Sequence, residues 1–227
     1  MELNEKMAEF FGILVGDGNL FYSKKHRFYR VKISGDSETD LAYHKYYVIP
    51  LIKNLFNLEP KMAFHKDFRE VDSYFYSKEI VSKLKKKFNF PERKSDYSAK
   101  HIHILLKNDM LKASFLRGFF DTDGTIYKKY GNYAQIGFRN HNFDILNEIF
   151  LILKSMGLNP SFNRHGSVCI HRQKEIKEFF KLVGSSNPKH IVRYLKWKNT
   201  GKVPPIQETM RLMNDYDFEL PYLDKSF

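Results

Sequence analysis

Residues 4–16, near the N-terminus, are predicted to form an apolar helix. Its C-terminal part, Phe10-Phe11-Gly12-Ile13-Leu14-Val15, is apolar on nearly every face of a helix. A helix of that composition is buried and not a surface helix. Asp17-Gly18 follows directly, and we expect the helix to end there with Gly18 in the left-handed conformation that often closes helices.

Within residues 28–34, Tyr29, Val31 and Ile33 alternate with Arg30, Lys32 and Ser34. An alternation with a period of two is typical of a half-buried β-strand. Together with the segments around it, this pattern predicts the order α-β-β-α-β-β-α. The elements after the first helix are expected at residues 19–23 and 28–34 (a hairpin), 39–57 (a helix), 61–66 and 71–77 (a second strand pair) and 79–87 (a basic helix).

The same order recurs in the second half of the chain. Segments 12–18 and 118–124 share Gly, Asp and Gly at matching positions, 106 residues apart. Two later matches keep the same order: Leu58–Pro60 with Leu158–Pro160, and Lys78–Ile80 with Lys174–Ile176. Ordered matches of this kind indicate an internal repeat. The second set of elements is expected at residues 112–122 (helix), 125–129 and 133–139 (strands), 143–156 (helix), 160–164 and 167–171 (strands) and 174–183 (helix).

These repeats predict an α+β fold of two pseudo-symmetric αββαββα units. We expect a first repeat at 1–95, a linker at 96–104, a second repeat at 105–200 and a C-terminal extension at 201–227. The extension carries several acidic residues, and we expect it to lie away from any polyanionic partner.

Small residues stand four apart on both motif helices: Gly12 and Gly16 on the first, Gly118 and Thr122 on the second. Small residues at that spacing allow two helix backbones to approach closely. The two helices are therefore predicted to pack together along a pseudo-two-fold axis, which would bring their C-terminal ends side by side.

Each of these ends carries a carboxylate, Asp17 or Asp123. A single Asp-Gly is most simply a helix stop, but two copies at matched helix ends favour a joint role. Carboxylates at helix C-termini meet the negative end of the macrodipole, and they repel each other unless a proton or a cation joins them. Oxygen ligands suit Mg²⁺, for which Mn²⁺ is expected to substitute, and such a metal can activate water against a phosphodiester. The motif pair thus predicts a metal-assisted phosphodiesterase.

The net charge indicates the partner. Lys and Arg number 38 against 26 Asp and Glu, which gives +12, and a basic protein of this kind most often binds nucleic acid. A basic protein with no such partner is the alternative. One cysteine excludes an internal disulfide, and no apolar run approaches the ~20 residues of a membrane helix. A soluble intracellular protein without membrane contact is expected.

The polar faces of the predicted strands are candidates for DNA contact, because a β-ribbon fits the major groove and hairpin tips reach phosphates. A solvated polar sheet face is the alternative. The candidates for DNA contact are Lys24, Lys25, Arg27, Arg30, Lys32, Ser34, Lys128, Lys129, Gln135, Arg139, Asn140 and Arg164.

The nonapeptides at 10–18 and 116–124 resemble the motifs of the LAGLIDADG homing endonuclease family in its single-chain, two-motif form. The resemblance implies saddle-shaped sheets on double-stranded DNA and a monomer that acts as a pseudo-dimer. It also implies a metal-dependent, staggered double-strand cut in a long asymmetric target, by a protein that is encoded within an intron. The family's acidic metal ligands correspond to Asp17 and Asp123, and the carbonyls of Gly16 and Thr122 are further candidate ligands.

A basic active-site residue is common on the fourth strand of this family. His171 is the candidate in the second repeat, where it would be catalytic together with the two motif aspartates, and Phe75 stands at the corresponding first-repeat position. Asp121 is expected to have a structural role at its helix end. Other readings of the chain are an RNA-binding intron maturase that contacts intron RNA, a detached intein endonuclease domain, and a DNA-binding regulator without catalysis.

Overall fold

The computed structural model describes residues 2–23, 25–65, 68–91, 97, 102 and 106–215. Lys24 and most of the predicted linker 96–104 lie outside the described residues. The first repeat contains α1 (Glu5–Asp17), β1 (Gly18–Ser23), β2 (Phe28–Asp36), α2 (Leu41–Tyr43), a π-helical turn (His44–Val48), α3 (Ile49–Phe56), β3 (Lys61–His65), β4 (Glu70–Tyr76) and α4 (Lys78–Phe88).

The second repeat follows the same order. It contains α5 (Asp109–Asp123), β5 (Gly124–Tyr130), β6 (Tyr133–Phe138), α6 (Phe143–Ser155), β7 (Ser161–Phe162), β8 (Val168–Ile170) and α7 (Gln173–Leu182). Two further helices, α8 (Pro188–Thr200) and α9 (Ile206–Asp215), come after it. The predicted α+β fold of two matching units is confirmed.

Both motif helices begin with the same device. The Asn4 side chain accepts a hydrogen bond from Met7 N at 2.9 Å, and Asn108 accepts one from Leu111 N at 2.9 Å. These side chains satisfy backbone N–H groups that the first helical turn leaves without partners. The two helices therefore start in equivalent ways, and both run to their Asp-Gly ends.

The expectation for Gly18 is wrong. Its φ of −85° and ψ of 157° are extended and not left-handed, and Gly124 is extended as well. Glycine is required there for space, because a Cβ on Gly18 would overlap the Leu14 carbonyl oxygen and one on Gly124 would overlap that of Phe120. In each repeat the backbone can therefore pass from helix to strand without an intervening loop.

Each repeat forms one antiparallel four-stranded sheet, in the orders β1-β2-β4-β3 and β5-β6-β8-β7. Gly18 pairs with Ile33 in the first sheet, and Gly124 pairs with Phe138 in the second. The first residue after each motif helix thus lies at the same place in both sheets. The apolar face of each sheet packs on the helices, and the other face carries the polar residues.

The strand pair β7–β8 is shorter than predicted. Asn163 Oδ1 accepts hydrogen bonds from His165 N at 2.8 Å and from Ser167 N at 3.0 Å. This side chain organises a turn out of residues that alternation alone would assign to strands.

The segment after α7 was not predicted to be helical beyond residue 183. Asn187 caps α8 by accepting from Lys189 N at 3.1 Å, Pro188 occupies the first turn, and Gly201 closes the helix with a φ of +72°. Within the described part of the chain, no helix is long and apolar enough to cross a membrane.

Candidate active site

The two motif helices touch through their backbones. A Cβ on Gly12 would overlap the Phe115 carbonyl oxygen, and a Cβ on Gly118 would overlap that of Glu9. The contact is reciprocal, as a pseudo-two-fold axis requires. The predicted central helix pair is therefore confirmed, and only glycine fits at either crossing position.

The same close approach continues to the helix ends. A Cβ on Gly16 would overlap the side chain of Thr122. The Thr122 hydroxyl donates to the carbonyls of Gly118 at 3.2 Å and Phe119 at 3.0 Å, so its position is fixed by its own helix. Packing at this level places the last residues of α1 and α5 next to each other.

Asp17 and Asp123, the last residues of these helices, line one cavity of about 710 Å³. Gly16 and Thr122, the residues before them, line it too. The rest of the wall comes from the start of β5 and the end of β6: Gly124, Arg139, Asn140, His141 and Asn142. The structure thus brings both predicted carboxylates to a single site at the pseudo-two-fold axis.

Asn140 holds one of these carboxylates. Its amide nitrogen donates to Asp123 Oδ2 at 2.6 Å, while its oxygen accepts from Asn142 N at 2.8 Å. The backbone N–H of Arg139 also donates to the Asp123 carbonyl oxygen at 3.0 Å. The end of β6 is therefore fixed to the end of α5, and the Asp123 carboxylate is oriented toward the cavity wall.

The first repeat offers no side chain at the position that corresponds to Asn140. The sheet registers make Gly35 the counterpart of Asn140. Glycine stands there because a Cβ would press against the imidazole of His44, whose Nδ1 lies 2.8 Å from Ser73 Oγ. The two halves of the site are therefore chemically different.

The oxygen atoms around the cavity are suited to bind a hard divalent cation. Two carboxylates, the preceding backbone positions and the Asn140 amide offer oxygen, which is the ligand that Mg²⁺ prefers. Both carboxylates lie at the negative ends of helix dipoles, where a cation is favoured. The residues present thus fit the predicted metal.

Asp121 faces away from this cavity and is buried. Burial raises its pKa to about 8, although hydrogen bonds from Ser185 and Ser186 oppose the shift. Ser186 N donates to Asp121 Oδ2 at 2.8 Å, and the Ser185 hydroxyl contacts the other oxygen. This placement agrees with the structural role expected for Asp121.

A buried polar network joins the two repeats beside this point. Arg117 forms an ion pair with Glu9 at 2.8 Å, and Ser186 Oγ donates to the other Glu9 oxygen at 2.7 Å. Asn187 donates to the Asp121 carbonyl at 3.0 Å and to Asp40 at 2.9 Å. Sequence reasoning missed this network because its members are far apart in the chain and carry no shared motif.

Polar residues of β2 lie on the outer face of the first sheet, as predicted. Lys32 Nζ lies 3.0 Å from Glu70 and 3.1 Å from Asp72, and Ser34 donates to Asp72 at 2.7 Å. Burial raises the pKa of Asp72, but the hydrogen bonds from Ser34, His65 and Lys32 together lower it by more, so the pKa of Asp72 is lowered overall. Arg30 lies half-buried on the same face, and its guanidinium is 5.8 Å from the centre of the Phe28 ring.

The remaining basic candidates are at the strand ends. Five of them are exposed: Lys25, Arg27, Lys128, Lys129 and Arg164. Arg139 is exposed as well and also lines the central cavity. These positions are accessible to a large polyanion.

Gln135 is buried, although its place in the alternation of apolar and polar residues predicts an exposed side chain. It lies on the polar side of β6 but is only 1% exposed, and neither atom of its amide has a hydrogen-bond partner. It occupies a central strand, opposite Tyr127 on β5, and alternation predicts the face of a residue but not what its neighbours cover. As placed here, Gln135 cannot reach a base edge.

His171 is not brought to the cavity. Its Nε2 lies 2.9 Å from Ser161 Oγ at the exposed edge of the second sheet. The registers also make Tyr76, and not Phe75, its first-repeat counterpart. The histidine that does line the cavity is His141, and its position directly after Asn140 was the available signal.

Comparison with known proteins agrees with this geometry. Residues 110–184 match the family model of the LAGLIDADG-like domain. The homing endonuclease I-DmoI in complex with DNA and Mn is similar in structure, with a TM-score of 0.56 and 20% identity over 81% of this chain and 98% of that chain. The chain has the single-chain LAGLIDADG fold.

A second structure with the LAGLIDADG fold supports the same conclusion. The I-LtrWI LAGLIDADG homing endonuclease bound to target DNA has a TM-score of 0.53 and 11% identity, over 96% of this chain and 99% of that chain. No curated protein is similar enough in sequence to be matched. The similarity covers both repeats, whereas the family model matches only within the second.

Proposed function

We propose that this chain is a site-specific DNA endonuclease that makes a metal-dependent, staggered double-strand cut in a long asymmetric target. The observation that carries the proposal is that Asp17 and Asp123, at the ends of two touching helices, line one cavity. Solved structures with this fold include I-DmoI in complex with DNA and Mn. Intron encoding is part of the proposal and rests on the family resemblance alone.

Asp17 and Asp123 would hold the metal, with the carbonyls of Gly16 and Thr122 as further ligands. When bound there, Mg²⁺ supplies activation of a water molecule and stabilisation of the leaving oxygen. Asn140 orients Asp123 through its 2.6 Å hydrogen bond, which fixes the carboxylate before substrate arrives. Such fixed positioning favours catalysis because the group need not reorganise during the reaction.

Two exposed side chains of the cavity wall complete the site. Arg139 can contact a phosphate of the bound DNA with its guanidinium, which is well suited to phosphate oxygens. His141 is our candidate for proton transfer, because an imidazole carries one nitrogen that can accept a proton and one that can donate it. It replaces His171 in that role, since His171 lies on the sheet edge.

The sheets would bind the duplex on their polar faces. Arg30 is our candidate for base edges, and the exposed lysines at the hairpin ends are candidates for phosphates. Arg139, which the sequence also offers for base contact, is assigned to a phosphate because it lines the central cavity. The first sheet also presents Lys32 bound to Glu70 and Asp72. We propose that this cluster positions Lys32 and Ser34 and limits the phosphate affinity of that strand.

The test is cleavage of a randomised duplex library with Mg²⁺, followed by sequencing of the cut ends. Asp17→Asn and Asp123→Asn should each abolish cleavage, because Asn retains the size but loses the charge that holds the cation. Binding to the selected duplex should survive in both. Asp109→Asn is the matched control, since Asp109 is exposed in the first turn of α5.

Three outcomes would overturn the proposal. Cutting at the wild-type rate by both variants would exclude the metal role of these carboxylates. Sequence-specific binding without any cutting would favour a regulator. Tight binding to structured RNA with no selected DNA sequence would favour a maturase.

A further inference from the structure

A half-buried arginine without an acidic partner lies outside the central site. Arg193 on α8 makes two hydrogen bonds, to Thr125 Oγ1 and to the Pro204 carbonyl oxygen, and both are 3.4 Å long. Its Nε is buried without any hydrogen-bond partner. Among the residues that the structure describes, no carboxylate forms an ion pair with Arg193, whereas Lys189 and Lys196 of the same helix each form one.

This arrangement is costly in the free protein. A charged group removed from water is normally paired or fully hydrogen-bonded, and hydrogen bonds of 3.4 Å to neutral oxygens are weak. Burial accordingly lowers the pKa of the Arg193 guanidinium. An anion placed beside it would supply the missing charge and the missing acceptor together.

There is space for such an anion. Arg193 lines a cavity of about 1000 Å³ between the β5–β6 hairpin and the two C-terminal helices. Lys128, Lys196 and Lys202 line the same cavity, and Glu208 is the one acidic residue among its described lining residues. Glu208 pairs with Lys196 at 3.3 Å, which leaves Lys128, Lys202 and Arg193 as an excess of positive charge.

We propose that this cavity binds a backbone phosphate of the DNA duplex, outside the segment that the two sheets contact. The inference rests on the proposed DNA-binding function. DNA is favoured over a free anion because the cavity shares Lys128 and Tyr133 with the β5–β6 hairpin, which would already lie on the duplex. The helices α8 and α9 then extend the DNA interface, in contrast to the expectation that the C-terminal extension lies away from it.

The first experiment measures the salt dependence of duplex binding. Each phosphate contact adds about 0.9 to the slope of log Kd against log salt. Arg193→Gln and Lys202→Gln should each lower the slope by about that amount, so that between 50 and 200 mM salt each loses roughly 3.5-fold less affinity than the wild type. Lys177→Gln is the matched control, because Lys177 is an exposed lysine of α7 that does not line this cavity.

The second experiment locates the phosphate. In a duplex carrying one neutral methylphosphonate at successive positions, one flanking position should weaken the wild type and leave Arg193→Gln unaffected. Lys202 is exposed, so Lys202→Gln keeps the test valid if Arg193→Gln fails to fold. A wild-type slope in both variants, or an equal methylphosphonate effect in all proteins, would overturn the proposal.

Inorganic phosphate distinguishes the source of the anion. Millimolar phosphate should raise the melting temperature of the wild type more than that of Arg193→Gln if the cavity accepts phosphate at all. A phosphate effect without any change in DNA binding would assign the cavity to a small anion and overturn the DNA contact. If the wild-type protein binds DNA with these differences between variants but does not cleave it, the endonuclease proposal is wrong and the phosphate contact at this cavity still holds.

Discussion

Replacement of Gly118 by alanine tests the helix contact most directly. In an open helix the change would stabilise the fold by about 0.5–1 kcal/mol, because glycine is the poorer helix former. In this protein the new Cβ would overlap the Glu9 carbonyl oxygen and lie 2.9 Å from Ile13 N. Both obstacles are backbone atoms of α1, so no side-chain rotation relieves them, and the two helices must separate.

The expected sign is therefore the reverse of the open-helix case. Overpacking of a core costs about 1–3 kcal/mol, and a contact between two rigid backbones belongs at the upper end. After subtraction of the helix-propensity gain, about 2 kcal/mol of destabilisation remains, which corresponds to a fall of roughly 4–8 °C in melting temperature for a domain of this size. Thermal melts followed by circular dichroism, with urea unfolding, measure it.

A reverse change on the same helix provides the control. Ala113→Gly removes a Cβ from a half-buried position of α5 and should cost about 1 kcal/mol through helix propensity. Melting of Gly118→Ala at or above the wild-type temperature would refute the backbone contact, and with it the position assigned to the two carboxylates.

Two further stability measurements follow from buried polar groups. Gln135→Leu should raise the free energy of unfolding by about 1 kcal/mol, because it removes an amide that is buried without partners. Gln173→Leu is the control and should lower the free energy of unfolding, because the Gln173 amide bonds both Ala134 N and Ala134 O. A loss of stability in Gln135→Leu would show that the Gln135 amide has hydrogen-bond partners. Burial and the nearby Lys189 and Arg193 lower the pKa of His190 well below 6.5. Below about pH 6.5 the unfolded chain therefore binds a proton at His190 that the folded protein does not bind, and the free energy of unfolding should fall as the pH drops. His190→Phe should flatten that acid limb in urea titrations between about pH 7 and 5, whereas the exposed His165→Phe should leave it unchanged; equal limbs in both variants would contradict the assignment.

The fold was predictable from the sequence because its signals are local. The apolar stretch at 10–15 and the alternation at 29–34 each determine an element within one stretch of chain, and the repeat then supplied the second half. Helix α8 carried local signals as well, since Asn187-Pro188 and Gly201 mark its two ends. It was missed because its charged residues obscure the apolar period.

The site was only partly predictable, for a physical reason. Asp17 and Asp123 follow from the repeat, whereas the Asn140 contact depends on where β6 ends relative to α5. The burial of Gln135 depends on neighbouring strands, and the displacement of His171 from the cavity depends on the register of β8. Properties set by tertiary neighbours leave no pattern in a single stretch of sequence.

The Glu9–Arg117 ion pair also determines which halves can associate. The pseudo-two-fold axis makes Phe115 the counterpart of Glu9, and Phe11 the counterpart of Arg117. Two first repeats packed together would bury Glu9 against a phenylalanine, and two second repeats would place the half-buried Arg117 against one. Because an unpaired buried charge costs several kcal/mol, each half strongly prefers the other over a copy of itself. A chain severed between its repeats would therefore reassemble as a heterodimer, and each half can diverge in sequence without forming a competing symmetric dimer.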